Sequence, residues 1–461
     1  RVLRMVLQSP TFKGDKYTSQ PALKANATVA RQAAAEGMVL LRNQGAALPL
    51  AAGKRVAAFG VTSYSLIAGG TGSGDVNKAY TIAIAQGLTN AGYAVDAPVS
   101  QAYSQYLKAE KAKLSKKRNL LDPAPVIAEM PVTAAQLASA AQAADVAVVT
   151  IGRSAGEGGD RKVPGDFTLT AAEQTLLKQV SAAFHAKGKK MVVVLNVGGV
   201  TEVASWRDQA DAIVLAWQPG QEGGNAVADV LSGKVNPSGK LATTFPMSYA
   251  DVPYGQNFPG KVLPGNDAKG NSFVGVPSVN TYEEGIYVGY RYYNTFQVKP
   301  AYEFGYGLSY STFGYGPLKL SSSTFGKGLT ATLTVTNTSQ VAGKEVVQLY
   351  LSAPTGALDK PASELKGFVK TNLLAPGQSQ TLTFPLTAMD LASFHTPTSS
   401  WVAEAGTYTV RVGASSLAVK QQATFQLPTA QVVLKSRPLL VPQQPVADLK
   451  AGQPRPTSAK K

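Results

Sequence analysis

A carboxylate, Glu157, stands between glycines in the run Gly156-Glu157-Gly158-Gly159-Asp160-Arg161-Lys162, directly after the apolar segment Val146-Ala147-Val148-Val149-Thr150-Ile151. Glycines on both sides let the backbone carry that carboxyl group out from the end of a buried strand, where it can exchange a proton with a ligand. Asp160 and Arg161 follow closely enough to pair with each other or with the loop backbone, pinning the shape of the loop. A second glycine-rich run, Gly69-Gly70-Thr71-Gly72-Ser73-Gly74-Asp75, also follows an apolar segment. It suggests an anion-binding nest, but it lacks the Lys-Ser/Thr ending of a P-loop and the spacing of a dinucleotide fingerprint, so a nucleotide is not expected.

The elements that hold these loops alternate between two periods. Residues 26–42 carry apolar side chains at helical spacing, residues 55–61 form a short apolar strand, and residues 82–90 read as a helix stopped by Gly92. Residues 132–144 predict a helix with Thr133 as N-cap, running into the 146–151 strand. Thr170 and Glu173 form a capping-box pattern opening a helix that extends to 187. Continuous apolar runs at 191–197 and 212–217 mark parallel strands covered on both faces, followed by a helix over 220–231. This is an α/β sandwich, a mainly parallel sheet with helices on both faces, and ligands of such sheets gather at the C-terminal ends of the strands. From Leu329 the period changes to two, in runs at 330–336, 345–351, 380–386 and 406–413 separated by turn residues, which predicts an all-β antiparallel sandwich. The resulting division is a leading segment over 1–26, the α/β domain over 27–250, a Pro/Gly/Asn-rich and then Tyr-rich linking segment over 251–314, the β-sandwich over 315–427, and a flexible tail over 428–461. Tyrosines between 282 and 310 read as packing between domains rather than as a sugar-stacking platform.

Composition removes several function classes. There is no cysteine among the 461 residues, so disulfides, thiolate ligands and a Cys nucleophile are absent. The two histidines, His185 and His395, lie far apart with no partnering pattern, which argues against a His metal site or triad. The formal charge of +16 raises the question of nucleic acid. Its main clusters, from Lys108 to Arg118 and beyond Arg437, have no interleaved aromatic residues and read as solvated surface. No run of about 18 apolar residues suggests a membrane span. The chain does not begin with Met, which leaves open a removed leader, and with it a periplasmic or secreted location, or an upstream domain. Neither a metal nor an organic cofactor is implied, and oligomeric state is not encoded in any visible pattern.

Five strings in order carry a family resemblance: residues 31–50, Arg-Gln-Ala-Ala-Ala-Glu-Gly-Met-Val-Leu-Leu-Arg-Asn at the start and Ala-Leu-Pro-Leu at the end; the Gly-Glu-Gly-x-Asp-Arg loop; Asn236-Pro237-Ser238-Gly239-Lys240-Leu241 through Phe245-Pro246; Tyr282-Glu283-Glu284-Gly285-Ile286-Tyr287-Val288-Gly289-Tyr290-Arg291-Tyr292; and Phe304-Gly305-Tyr306-Gly307-Leu308-Ser309-Tyr310. Together, over roughly residues 1–425, they resemble glycoside hydrolase family 3, the β-glucosidase family. The resemblance implies a barrel domain first, then the α/β sandwich, then a fibronectin type III-like sandwich. Arg1 to about Phe12 resembles the end of that barrel. The family's nucleophile is an Asp on the barrel in a Ser-Asp-Trp or similar setting, and no Asp of this chain lies in such a motif.

The chemistry so implied is retaining hydrolysis of a β-glycoside, with a nucleophilic carboxylate and a proton-donating one roughly 5 to 5.5 Å apart. By resemblance Glu157 is the general acid/base, Ser73 matches a serine that reaches the bound sugar, and Asp160 and Arg161 support the loop. The implied partners are a β-linked glycoside and the missing barrel, with terminal β-D-glucosyl residues as the expected substrate and the chain alone inactive. A non-catalytic module that binds carbohydrate or scaffolds other proteins remains the alternative.

Overall fold

The computed structural model describes residues 1–114, 125–155, 157, 161–265, 276–439 and 441–456. Its first domain is built on one six-stranded sheet: β1 (Val39–Asn43), β2 (Arg55–Phe59), β3 (Ala94–Val95), β4 (Val146–Arg153), β5 (Lys190–Val197) and β6 (Ala212–Leu215), in the order β1-β6-β5-β4-β2-β3. All neighbours pair in parallel except β1, which runs antiparallel to β6 at the edge. The helices are α1 (Leu23–Gly37), α2 (Ile84–Asn90), α3 (Ala97–Lys113), α4 (Ala134–Ala143), α5 (Ala171–His185) and α6 (Gly223–Leu231).

Alternate strand residues point into two separate cores. Phe59, Val149, Ile151, Val193 and Leu195 meet α3, α4 and α5 on one face. On the other, Val56, Val148, Val192, Val194 and Val214 meet α1, α2 and α6. Burial on both faces is why these strands are continuous apolar runs, and apolar area removed from water at about 25 cal/mol per Å² holds the three layers together. Both capping boxes form: Thr133 with Gln136 opens α4, and Thr170 with Glu173 opens α5.

One expected element is different. The helix read over 26–42 spans only Leu23–Gly37, and its intended last turn is β1. Val39 and Leu41 enter one core while Leu40 enters the other, all at 1% exposure or less. A strand buries three consecutive large apolar residues on two faces, whereas a surface helix buries only one stripe, so tertiary burial overrides the 3.6-residue spacing.

The second domain packs two antiparallel sheets. Leu329–Asn337 pairs with Ser379–Leu386, and Val346–Ser352 sits between Glu364–Lys370 and Gly406–Gly413, the last also pairing with Val419–Leu427. Their inward residues, among them Leu333, Val335, Leu349, Phe384, Tyr408 and Phe425, form one core. Beyond Leu427, where the sequence suggests a tail, Gln431–Lys435 adds a strand to Ser400–Ala403. Leu449 then inserts among Tyr287, Tyr292 and Tyr293, its amide donating to the Glu283 carbonyl.

The two domains are pinned to each other. Glu36 at the end of α1 accepts from Lys344 at 2.7 Å and Lys370 at 2.9 Å, and Lys240 reaches Glu345 at 3.0 Å. Backbones also cross closely: a Cβ on Gly307 would lie 2.3 Å from the Gly239 carbonyl oxygen. Two of the motif strings thus meet where the linking segment crosses the α/β domain.

Candidate active site

β2 and β4 are neighbours, in register from Val56↔Val146 to Phe59↔Val149, so the segments leaving their C-terminal ends emerge side by side. After β2 the chain turns at Gly60, whose φ of 95° and close approach to Thr150 oxygen (2.2 Å from a built Cβ) exclude any side chain. A short helical turn, Val61–Tyr64, leads to the glycine-rich loop. Asn196, at the end of β5, holds that loop from below. Its side chain accepts from the Ile67 amide at 2.8 Å and donates to the Ile67 and Trp217 carbonyls at 2.9 and 2.8 Å. Farther along, the Tyr80 hydroxyl donates to Glu222 at 2.5 Å.

The glycine-rich loop meets the segment leaving β4. The Thr71 amide donates to the Ala155 carbonyl at 3.2 Å and the Thr71 hydroxyl to the Glu157 carbonyl at 2.8 Å. Ser73 then holds the carboxylate itself: its hydroxyl donates to Glu157 Oε1 at 2.6 Å and its amide to Oε2 at 3.3 Å. Gly72 permits this approach, because a Cβ there would fall 2.3 Å from Glu157 Oε2. Two candidate residues 84 positions apart therefore form one exposed Ser–Glu pair.

Donation from the Ser73 hydroxyl, and then from its amide, holds the Glu157 carboxyl below its ordinary value of 4.5. The group is solvent-exposed and ionised near neutral pH. A general acid needs the opposite shift, which a second carboxylate and burial supply.

Both roots of the Glu157 segment are tied down by arginines. Arg153, the last residue of β4, forks onto Glu173 of α5 with two contacts of 2.6 Å, and its Nε donates to the Asp166 carbonyl at 3.0 Å. Arg161 donates to Asp166 Oδ1 from Nε at 3.0 Å and from Nη2 at 2.8 Å, and its Nη1 reaches the Val200 carbonyl at 2.5 Å. The candidate supporting residue Arg161 thus engages Asp166; Asp160 lies outside the described residues. No spacing in the sequence groups Arg153, Asp166 and Asn196 with the loop. The one available signal is an arginine closing an otherwise apolar strand, a buried charge that calls for a partner.

The description "Glycosyl hydrolase family 3 C-terminal domain" matches residues 38–290, and "Fibronectin type III-like domain" matches residues 345–416. The chain belongs to glycoside hydrolase family 3. Beta-glucosidase A of Butyrivibrio fibrisolvens is 37% identical over 429 residues, covering 83% of this chain and 49% of that protein. An exo-alpha-(1->6)-L-arabinopyranosidase of Bifidobacterium breve is 33% identical over 418 residues, covering 87% of this chain and 49% of that protein. Among solved structures, beta-glucosidase 3B from Thermotoga neapolitana in complex with alpha-D-glucose matches with a TM-score of 0.85 at 46% identity, over 93% of this chain and 58% of that one. The family-3 chain therefore spans about half the length of the curated relatives it matches. No helix among its described residues is long and apolar enough to cross a membrane.

Proposed function

We propose that this chain supplies the general acid/base, Glu157, of a retaining β-glucosidase whose nucleophilic Asp stands on a barrel domain outside the chain. The observation that supports this reading best is the Ser73–Glu157 pair: a glycine-flanked carboxylate and a hydroxyl donor, both exposed, at the C-terminal edge of a parallel sheet where such folds bind ligands. The names of the β-glucosidase relatives favour terminal β-D-glucosyl residues as substrate.

In this mechanism the barrel Asp attacks the anomeric carbon and the bond to the leaving oxygen breaks, forming a covalent glycosyl–enzyme. Protonated Glu157 gives its proton to the leaving oxygen. The resulting carboxylate then takes a proton from water, which attacks the same carbon and releases the Asp. Glu157 as held by Ser73 is the ionised form. Approach to the barrel carboxylate raises its proton affinity, and the Ser73 hydroxyl, once released, is free to donate to a sugar oxygen. Asp160 and Arg161 serve the loop rather than the sugar.

The test compares leaving groups. The chain alone should not turn over an aryl β-glucoside, because it brings one carboxylate of the two required. Joined to its barrel, it should be active, and Glu157→Gln should cut kcat/KM for poor leaving groups by about 10²–10⁴-fold while sparing kcat/KM for activated aryl glucosides. Equal losses of kcat/KM on both substrates would refute the acid/base role. Absence of turnover from the joined protein would favour the non-catalytic carbohydrate-binding or scaffolding reading.

A further inference from the structure

We propose that Asp166 is a positioning residue for Glu157, fixing both roots of the Glu157 segment onto one carboxylate and one carbonyl. The inference rests on the acid/base reading above. Glu157 hangs between Arg153 and Arg161, and both arginines converge on Asp166. Its carbonyl accepts from Arg153 Nε at 3.0 Å and from Arg161 Nη2 at 3.1 Å. Its Oδ1 accepts from Arg161 Nε at 3.0 Å and Nη2 at 2.8 Å and lies 3.9 Å from Arg153 Nε.

The frame behind this junction is buried and hydrogen-bonded. Arg153 is 9% exposed, as is its partner Glu173, and Glu173 is itself fixed by the Thr170 amide at 2.8 Å and the Thr170 hydroxyl at 2.9 Å. Arg161 gains a third anchor at the Val200 carbonyl, made reachable by Gly199, where a Cβ would stand 3.0 Å from Arg161 Nη1. Asp166 is therefore where a segment with glycines on both sides of Glu157 acquires fixed ends. Fixed ends limit where Glu157 can be carried, and displacement of a catalytic group by about 1 Å can cost about 10²-fold in rate.

A brace that merely stabilised the fold would lower the melting temperature and reduce all activities in proportion to the folded fraction. A positioning residue does something different, because only steps that need the Glu157 proton suffer. In the polypeptide joining this chain to its barrel, Asp166→Ala should lower kcat/KM for an alkyl β-glucoside by about 10–100-fold and kcat/KM for a dinitrophenyl glucoside by less than about threefold, with kcat for the latter falling because Glu157 is also the base for the water step. Asp166→Asn keeps an acceptor oxygen, should fold wherever Ala does not, and should lose less on the alkyl substrate. In the chain itself, ¹³C NMR should show the Glu157 carboxyl of Asp166→Ala titrating closer to its ordinary value, as contact with Ser73 loosens.

An unchanged Glu157 titration, or equal losses of kcat/KM on the two glucosides with folded fraction accounted for, would overturn the proposal. The Glu157→Gln variant measured alongside separates the two readings. If it shows no leaving-group dependence, the acid/base assignment fails; if it does and Asp166→Ala does not, only the positioning role fails.

Discussion

Replacing Glu173 by Gln should be among the most destabilising single changes in the α/β domain. The Arg153–Glu173 pair is 9% exposed on both sides and doubly hydrogen-bonded at 2.6 Å. Gln keeps the size of Glu and one acceptor for the Thr170 cap, but it puts an amide donor against a guanidinium that has only donors. The buried Arg153 charge then loses both direct carboxylate contacts and keeps only Asp166, whose Oδ1 lies 3.9 Å from its Nε, which costs about 3 kcal/mol. Loss of the cap alone would account for only about 1 kcal/mol. At about 2–4 °C per kcal/mol for a domain of this size, the apparent melting temperature should fall by about 10 °C in scanning calorimetry. Removing the charge as well, in Arg153→Met with Glu173→Gln, should recover part of the loss. Recovery stays incomplete because the carbonyls of Gly152 and Asp166 lose their Arg153 donors. A loss below about 1 kcal/mol for Glu173→Gln, or strict additivity of the two changes, would refute the idea of a desolvated, coupled pair.

Burial tends to raise the Glu36 carboxyl, but donation from Lys344 and then Lys370 outweighs it and brings the group from 4.5 down to about 2. A depressed carboxylate stabilises the fold above its unfolded value, so the domain junction should lose this contribution as pH falls from 4.5 towards 2. Solvent screening limits the effect to about 1 kcal/mol. Denaturant unfolding should show Glu36→Gln weaker than wild type at pH 7, with the gap closing in acid; a constant gap would count against the ion pairs. Gly72→Ala should separate Ser73 from Glu157, since the new methyl would overlap the carboxylate and the backbone sits at a φ of +67°. A crystal structure or a carboxyl titration of that variant would detect the loss, and an unmoved Ser73–Glu157 pair would contradict the close approach.

Elements set by near neighbours in the chain are legible in the sequence. The Thr133 and Thr170 caps depend on residues three positions away, the apolar runs of β4, β5 and β6 show burial on both faces, and the period of two beyond Leu329 shows a sandwich. The Glu157 loop is legible for the same reason: a carboxylate between glycines at the end of a strand is a local pattern. The span 26–42 is not, because helical spacing and strand burial coexist there in one stretch and only the neighbouring β6 decides between them.

The sequence by itself thus determined the layers, the two periods and the glycine-flanked carboxylate at a strand end. The tertiary structure alone decided what that residue touches. Ser73 reaches Glu157 because β2 lies beside β4, and Asp166 gathers two arginines because the segment before α5 folds back beneath the strand end. Those choices depend on strand order and long-range packing, in which residues far apart in sequence exclude water from one another, and no local spacing encodes them.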